Sequence, residues 1–337
     1  MEIKFGLKAA HEQFSPEELL RQCELADSSG FDSAWASDHF HPWFHTGASG
    51  GFAWVWMAAA AERTKRMTIG TGVTAPILRY HPAIVAQAFA TLGHLYPGRI
   101  KLGVGTGEAM NELPLGFPWA ALGERAKRLV EAVRIIRELW TGEFITFKGK
   151  YYRLNSAKLY TTPEKPVPIY FAAFGPKMAR LAGKYGDGLY SSLTHNTEHF
   201  RDVVLPAFRD GAGEVNRNPE ELGASIEMQF SYDADLDKAA TSIRKWAGAL
   251  LPVFFKYGIS DPREIEENAL KVGVEEMKKA WVVTDDPFEV AKRAEGCLKA
   301  GFKEVVFMSS SPDQQMAIKT VGKEVIPYLK ENFAVKR

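Results

Sequence analysis

Eight short, mostly apolar runs, each separated from the next by a longer stretch, set the strongest limit on what this chain can fold into. They are IKFGLKA (3–9), DSAWAS (32–37), MTIGTGV (67–73), RIKLGVGTG (99–107), VPIYFAA (167–173), DGLYSSL (187–193), GASIEMQFSYD (223–233) and FKEVVFMSS (302–310). Runs of this length with little polar alternation fit strands covered on both faces. The stretches between them carry helix signals. SPEELLRQCELADSSG (15–30) opens with a serine cap and a proline and closes at Gly30, and PAIVAQAFATLGHLY (82–96) opens at a proline. Helical patterns also cover 52–65, about 121–141, 175–186, 197–213 and about 312–332. Strand followed by helix, eight times over, predicts a parallel (β/α)8 barrel, a TIM barrel; an open doubly wound sheet is the alternative that the count of eight disfavours. Two stretches are extra. Residues 142–166 hold FKGKYYRL, which reads as a small hairpin, and 234–285 read as mostly helical. No Ser/Gly/Pro-rich linker divides the chain, so residues 1–337 are expected to form a single domain with insertions at about 142–166 and 234–285.

The charge balance narrows the partners. Lys and Arg number 42 and Asp and Glu 41, a net charge of +1. No basic block calls for nucleic acid or a membrane surface, and no apolar run is long enough to span a bilayer. A small anionic ligand stays open, because local charge is not net charge. Cys23 and Cys297 lie far apart inside helix-like runs and read as reduced thiols. The start, MEIKFGLKAA, has no apolar core of a signal peptide, which points to the cytoplasm.

In a barrel of this kind the reactive groups lie at the C-terminal strand ends. Glu12 follows the first strand, Ser37-Asp38-His39 the second, Gly72-Val73-Thr74 the third, Thr106-Gly107-Glu108 and Asn111 the fourth, and Phe174-Gly175 the fifth. SDHFHPWFH (37–45) holds three histidines. His39-x-His41 would suit a metal only with further ligands on later strands; His195 ends the sixth, but the seventh and eighth offer no obvious His or Asp, and His41 and His45 read as packing or capping groups. GVGTGEAMNE (103–112) has glycines that let a strand end approach a flat ligand, and Glu108 beside them is a natural proton donor or acceptor. In AAFGPKMARLAG (172–183) a strand runs through Gly175-Pro176 straight into a helix. Its free N–H groups at Lys177 and Met178 suit an anion, and a plain Gly–Pro helix start is the equally simple account.

With SDHFHPWFH, TAPILRYHPAIVAQAFATL, GVGTGEAMNE and AAFGPKMARLAG in view, the chain resembles the coenzyme F420-dependent oxidoreductases of the luciferase-like superfamily. Within it, the branch of F420-dependent glucose-6-phosphate dehydrogenases and secondary alcohol dehydrogenases is the nearest likeness, over nearly the whole length. The resemblance implies a luciferase-like barrel, a homodimer, and a deazaflavin, F420, in the mouth. It implies that Asp38 and His39 lie beside the ring and Trp43 over the substrate. Gly72 and Val73 match a non-proline cis peptide against the ring. Thr106, Gly107, Glu108 and Asn111 match cofactor and catalytic positions, Gly175, Pro176, Lys177 and Met178 the cofactor-phosphate site, and Glu12 an active-site acid. The implied reaction moves hydride from a CH–OH carbon to C5 of the deazaflavin. His39 takes the hydroxyl proton, Glu108 supplies a proton at the N1 side of the ring, and Trp43 holds the alcohol.

Against the sugar-phosphate enzymes the chain departs at the phosphate cage. Lys256 matches one of two lysines. SLTHNTEHF, where the second is expected, has no base before Arg201, and the arginine before Trp281 is replaced by Ala280, with Lys278 and Lys279 adjacent. The stretch 245–262, with Phe255, resembles the alcohol enzymes, while Gln229 stands where they carry an aromatic. The substrate expected is therefore a small alcohol or sugar: a secondary alcohol first, a sugar or sugar phosphate second. An FMN-dependent monooxygenase on the same scaffold and a metal-dependent hydrolase built on His39 and His41 are the more distant alternatives.

Overall fold

A computed structural model describes residues 3–193, 196–251 and 258–333. Eleven strands form among them: β1 (Lys4–Ala9), β2 (Ser33–Ala36), β3 (Thr68–Thr71), β4 (Ile100–Val104), β5 (Ile145–Lys148), β6 (Arg153–Ala157), β7 (Ile169–Ala172), β8 (Gly188–Ser192), β9 (Gly223–Tyr232), β10 (Val282–Thr284) and β11 (Glu304–Ser309). Eight of these, β1 to β4, β7 to β9 and β11, pair in parallel around a closed ring, with β8 joined to β9, β9 to β11 and β11 to β1. The architecture is the (β/α)8 barrel that the alternating runs predict. The intervening helices include α1 (Pro16–Ser28), α2 (Ala53–Arg63), α3 (Pro82–Leu95), the single turn α4 (Ala109–Glu112), α5 (Leu122–Leu139), α6 (Pro176–Tyr185), α7 (Thr197–His199), α8 (Leu205–Gly213) and α9 (Leu236–Ser242). Ser15 starts α1 with a reciprocal capping box to Glu18, as its sequence suggests.

FKGKYYRL does form a hairpin, with β5 antiparallel to β6. The stretch 234–285 is not wholly helical. It contains β10, which pairs Val282 with Phe230 on β9. The reason lies in β9, whose pairing with β8 stops at Glu227 while the strand runs on to Tyr232. Buried backbone groups along that overhang need partners, and a three-residue strand, too short to show a period, supplies them.

Alternation along each strand sorts the barrel. Phe5 and Leu7 of β1, Ile226 and Met228 of β9 and Val305 and Phe307 of β11 join the large core beneath the helices. The residues between them face the lumen. Lys8 shows this directly: it reaches Gly72, just past β3, and Glu227 on β9, neither strand being a neighbour of β1. The floor of the lumen is a polar knot around Glu304, which accepts from Ser33, from Trp35 Nε1 at 3.2 Å and from Ser225 at 2.5 Å and pairs with Lys101 at 3.4 Å. Burial pushes its carboxyl up, and Lys101 with the three hydrogen bonds outweighs that and holds it below the usual range.

A second, smaller core joins the mouth to the 234–285 insertion. Trp43, Phe44, Met110, Ile243, Trp246, Trp281 and Met308 are buried together there, and Trp246 donates to Gln13 at 2.9 Å. Cys23 and Cys297 are buried and unbonded, and burial pushes each thiol up to about 12. Among the described residues no helix is long and apolar enough to cross a membrane.

Candidate active site

The strand tips bring one imidazole between two carboxylates. His39, just after β2, has its Nε2 3.4 Å from Glu12 Oε1 and 3.4 Å from Glu108 Oε2. The two acids differ in setting. Glu12 sits in the turn after β1 with its side chain 4% exposed, while Glu108, at the start of α4, is 30% exposed. Ser37 donates to the other Glu12 oxygen. Burial pushes the Glu12 carboxyl up, but His39, Lys8, Ser37 and its own backbone N–H together bring it below the usual carboxylate range. Glu12 is therefore ionised at neutral pH and presents its negative charge to His39 Nε2. Asn111 joins the cluster from α4, donating to Glu108 Oε2 at 3.3 Å. Trp43 is buried with its ring centre 5.9 Å from that of His39.

Asp38, next in sequence to His39, is turned into the protein. Its carboxylate accepts from Thr74 at 2.6 Å and from Arg79 and Tyr80 at 3.1 Å each. This ties the loop after β3 to the end of β2. The Gly72–Val73 peptide is cis. Gly72 has to be glycine for contact reasons: a Cβ there would lie 2.9 Å from the Tyr190 hydroxyl. Lys8 Nζ donates to the Gly72 carbonyl at 2.6 Å.

The loop after β4 is fixed by a residue remote in sequence. Arg125 of α5 donates to the carbonyls of Thr106 at 2.9 Å and Gly107 at 3.0 Å. Gly107 has φ +75°, a left-handed conformation that favours glycine. A buried Glu112 lies behind it and accepts the Arg79 backbone N–H at 2.9 Å. Burial pushes its carboxyl up, with Arg79 only partly opposing.

β7 lies beside β4, so its tip adjoins this loop. There Gly175 caps α6 without a side-chain bond, and the first intrahelical bond runs from Ala179 N to the Gly175 carbonyl. The N–H groups of Lys177 and Met178 thus lack helical acceptors, and Pro176 has no N–H to spare. Pro176 and Lys177 are exposed, and a Cβ at Gly175 would meet nothing within 4 Å. An anion fits this helix start. Together with the glycine-lined tips of β3 and β4, it suits a flat ligand that carries a phosphate.

Gln229 faces the lumen from β9, its amide donating to Ser192 and, at 3.4 Å, to Glu227. Its Oε1 is buried with no hydrogen-bond partner. Lys256 and Phe255 lie outside the described residues. Three bases that neighbour the expected cage positions in sequence have acidic partners: Arg201 pairs with Asp202 at 2.8 Å, Lys278 with Glu275 at 2.8 Å, and Lys279 with Glu276. His41 stacks on Phe40 and its Nδ1 meets the Ser260 carbonyl at 3.0 Å. Among the described residues no group of three or more His, Cys, Asp or Glu is arranged to hold a metal.

Sequence reasoning missed the supporting residues. Lys8, Arg79, Tyr80, Arg125 and Glu227 all hold site residues in place. One signal was available: Lys8 and Glu227 are charges inside apolar strand runs, where a lumen partner is required. Arg125, on an ordinary amphipathic helix, gave none.

A barrel that gathers its titratable groups at the C-terminal strand ends is built as an enzyme. More narrowly, the chain belongs to the luciferase-like monooxygenase family, whose model matches residues 3–304. It is 43% identical over 328 residues to a protein of Nakamurella multipartita named F420-dependent glucose-6-phosphate dehydrogenase, covering 97% of each chain. A protein of the same name from Mycobacterium avium is 43% identical over 331 residues, covering 98% of each. Among solved structures, an F420-dependent secondary alcohol dehydrogenase in complex with an F420-acetone adduct is 42% identical, with a TM-score of 0.94 and coverage of 98% of this chain and 99% of that one.

Proposed function

We propose that this protein is a coenzyme F420-dependent dehydrogenase that oxidises a CH–OH donor, with a secondary alcohol as its first substrate class. The observation that carries this is the imidazole of His39 between Glu12 and Glu108 at a mouth whose β7–α6 turn suits a phosphate-bearing ligand. Relatives of both named activities, at 43% and 42% identity, support the cofactor and the reaction type. The deazaflavin, when bound, supplies the carbon that accepts hydride.

The chain's own residues do the rest. The N–H groups of Lys177 and Met178 at the Gly175-Pro176 turn, with the Lys177 ammonium, hold the coenzyme phosphate. Gly72, Val73, Thr106, Gly107 and Asn111 line its ring, and Asp38 keeps the β2 and β3 tips together beside it. Trp43 bounds the alcohol and, with the second core, excludes water. The hydroxyl proton leaves to the cluster of His39 and Glu108, with the Glu12 carboxylate beside it. Gln229 faces the remainder of the substrate from β9, and the sequence likeness assigns Phe255 and Lys256 to the same substrate. The secondary alcohol ranks above a sugar phosphate because the sequence supplies only Lys256 of the expected cage, with Ala280 in place of the arginine, and a phosphate dianion requires several charged donors. Glucose 6-phosphate is the second reading, favoured by the names of the 43% identical relatives.

The proposal extends to a single-domain protein of the cytoplasm that works as a homodimer. Phe52, Val55 and Ile84, exposed apolar residues at α2 and α3, support a covered face there, and light scattering tests it. The decisive experiment for function incubates the protein and F420 with isopropanol, glucose and glucose 6-phosphate side by side. Loss of the oxidised coenzyme's visible absorbance with isopropanol is expected, and no loss with any of the three would reject the reading.

A further inference from the structure

Asn111 stands between His39 and Glu108, and its amide cannot be turned round. The Phe40 backbone N–H points at Asn111 Oδ1 from 2.7 Å, a bond only the carbonyl end can accept. The amide nitrogen therefore faces the other way. There it donates to Glu108 Oε2 at 3.3 Å and lies 3.5 Å from His39 Nδ1. An amide NH2 can only donate, so it meets Nδ1 as a lone pair. At the opposite edge of the ring, Nε2 faces Glu12 Oε1 and Glu108 Oε2, each at 3.4 Å. Ionised carboxylates can only accept. A neutral imidazole has one proton to place, and both edges assign it to Nε2.

We infer that Asn111 is a positioning residue that fixes His39 as the Nε2–H tautomer, so that His39 donates a hydrogen bond to the substrate oxygen while Glu108 accepts the hydroxyl proton. This rests on the dehydrogenase reading above and reverses the roles of His39 and Glu108 that the resemblance implies. Glu108 is the acid suited to the task. Glu12 has both oxygens engaged, by His39 and Ser37, and is deeply buried. Glu108 uses only Oε2 for His39 and Asn111, its Oε1 has no hydrogen bond or ion pair among the described residues, and it opens to the mouth. The step balances. The substrate C–H bond breaks and its electron pair leaves with the hydrogen as hydride to the coenzyme. The O–H bond breaks and its proton passes to the Glu108 carboxylate. The C–O bond becomes C=O. His39 keeps its proton throughout, and its N–H stabilises the negative charge that develops on oxygen.

The tautomer is directly readable by 15N NMR of the imidazole rings in the coenzyme-free protein, with His39 assigned by loss of its signals in His39→Gln; the chain has only 8 histidines. Above the imidazolium titration, Nδ1 should be pyridine-like and Nε2 pyrrole-like; an Nδ1–H tautomer or an even mixture would overturn the inference. Asn111→Asp keeps the acceptor for Phe40 N–H but offers Nδ1 a carboxylate. It should put a proton on Nδ1 in the same spectrum, and an unmoved spectrum removes Asn111 from the role. In turnover, His39→Gln retains an N–H donor but no basic nitrogen. It should stay within about tenfold of wild-type kcat, while His39→Ala and Glu108→Gln lose about a hundredfold or more. Equal losses in His39→Gln and His39→Ala would overturn the donor role. F420 binding, followed by its fluorescence, is measured for every variant to separate lost coenzyme from lost chemistry. Should the wild type show the Nε2–H tautomer yet transfer no hydride to F420 from any alcohol, the dehydrogenase reading falls. An Nδ1–H tautomer in an active enzyme sinks this inference alone.

Discussion

Lys8 Nζ lies 2.7 Å from Glu227 Oε2 inside the barrel, an ion pair that spans the lumen from β1 to β9. Both side chains are under a tenth exposed, so each charge depends on the other. Tyr190 donates to the same Glu227 oxygen at 3.0 Å, and Lys8 also holds the Gly72 carbonyl. Removing one partner strands the other. Lys8→Met should lower stability by about 3–5 kcal/mol in urea melts, and the double replacement Lys8→Met with Glu227→Met should recover most of that loss. A single variant as stable as the wild type would mean that the pair adds nothing to the fold.

The barrel was legible because its signal is repeated eight times and rests on burial, which composition records directly. β10 was not legible, because three residues carry no period and the strand exists only to satisfy the overhang of β9. At the site, the residues of contiguous motifs were legible: His39, Glu108, Asn111 and the Gly175 turn all sit at strand ends. What joins them was not. Asp38 reads as a ligand-facing group beside His39, yet Thr74, Arg79 and Tyr80 turn it inward. Only three-dimensional proximity reveals Arg125 on the Thr106 and Gly107 carbonyls, since nothing in the amphipathic pattern of α5 marks one arginine among several.

His11 should make the protein acid-sensitive. It is buried edge-on against Trp56, and neither ring nitrogen has a hydrogen-bond partner. Burial, with smaller help from Lys8 and His39 and against Glu12 and Asp38, lowers its pKa from 6.5 to about 4. Between those values the unfolded chain binds a proton that the folded one refuses, so stability falls as pH drops below the unfolded value and stops falling near the folded one. From pH 7.5 to pH 5 the loss from this group is about 2 kcal/mol. Urea melts of wild type and His11→Met at the two pH values check this. The variant should lose less between them by roughly that amount, and an unchanged difference would rule His11 out as the source.

Lys177 tests the phosphate end of the mouth without touching the chemistry. It is exposed at the second position of α6, where a bound anion would gain its charge in addition to two backbone donors. Lys177→Ala should weaken F420 binding by about tenfold, with kcat at saturating coenzyme nearly unchanged. Fluorescence titration at low and high salt gives the binding constants, and the wild type should lose more affinity with salt than the variant. Equal affinities in the two proteins would remove Lys177 from the coenzyme site.

Ala280 offers the sharpest test of substrate class. It is partly buried in the turn before Trp281, which packs 6.4 Å from Trp246 in the second core. The resemblance to the sugar-phosphate enzymes implies an arginine at this position. The neighbouring Lys278 and Lys279 do not substitute for it, because each is paired within its own turn to Glu275 or Glu276. Arginine is also the side chain whose planar fork matches a phosphate. Ala280→Arg should therefore raise kcat/KM for glucose 6-phosphate by about tenfold or more, chiefly through KM, and leave kcat/KM for isopropanol within about twofold. Initial rates of F420 reduction with both substrates give the comparison. A wild type that already prefers glucose 6-phosphate over isopropanol, with no gain from the added guanidinium, would mean that the dianion is recognised by other groups and would reverse the substrate order proposed here.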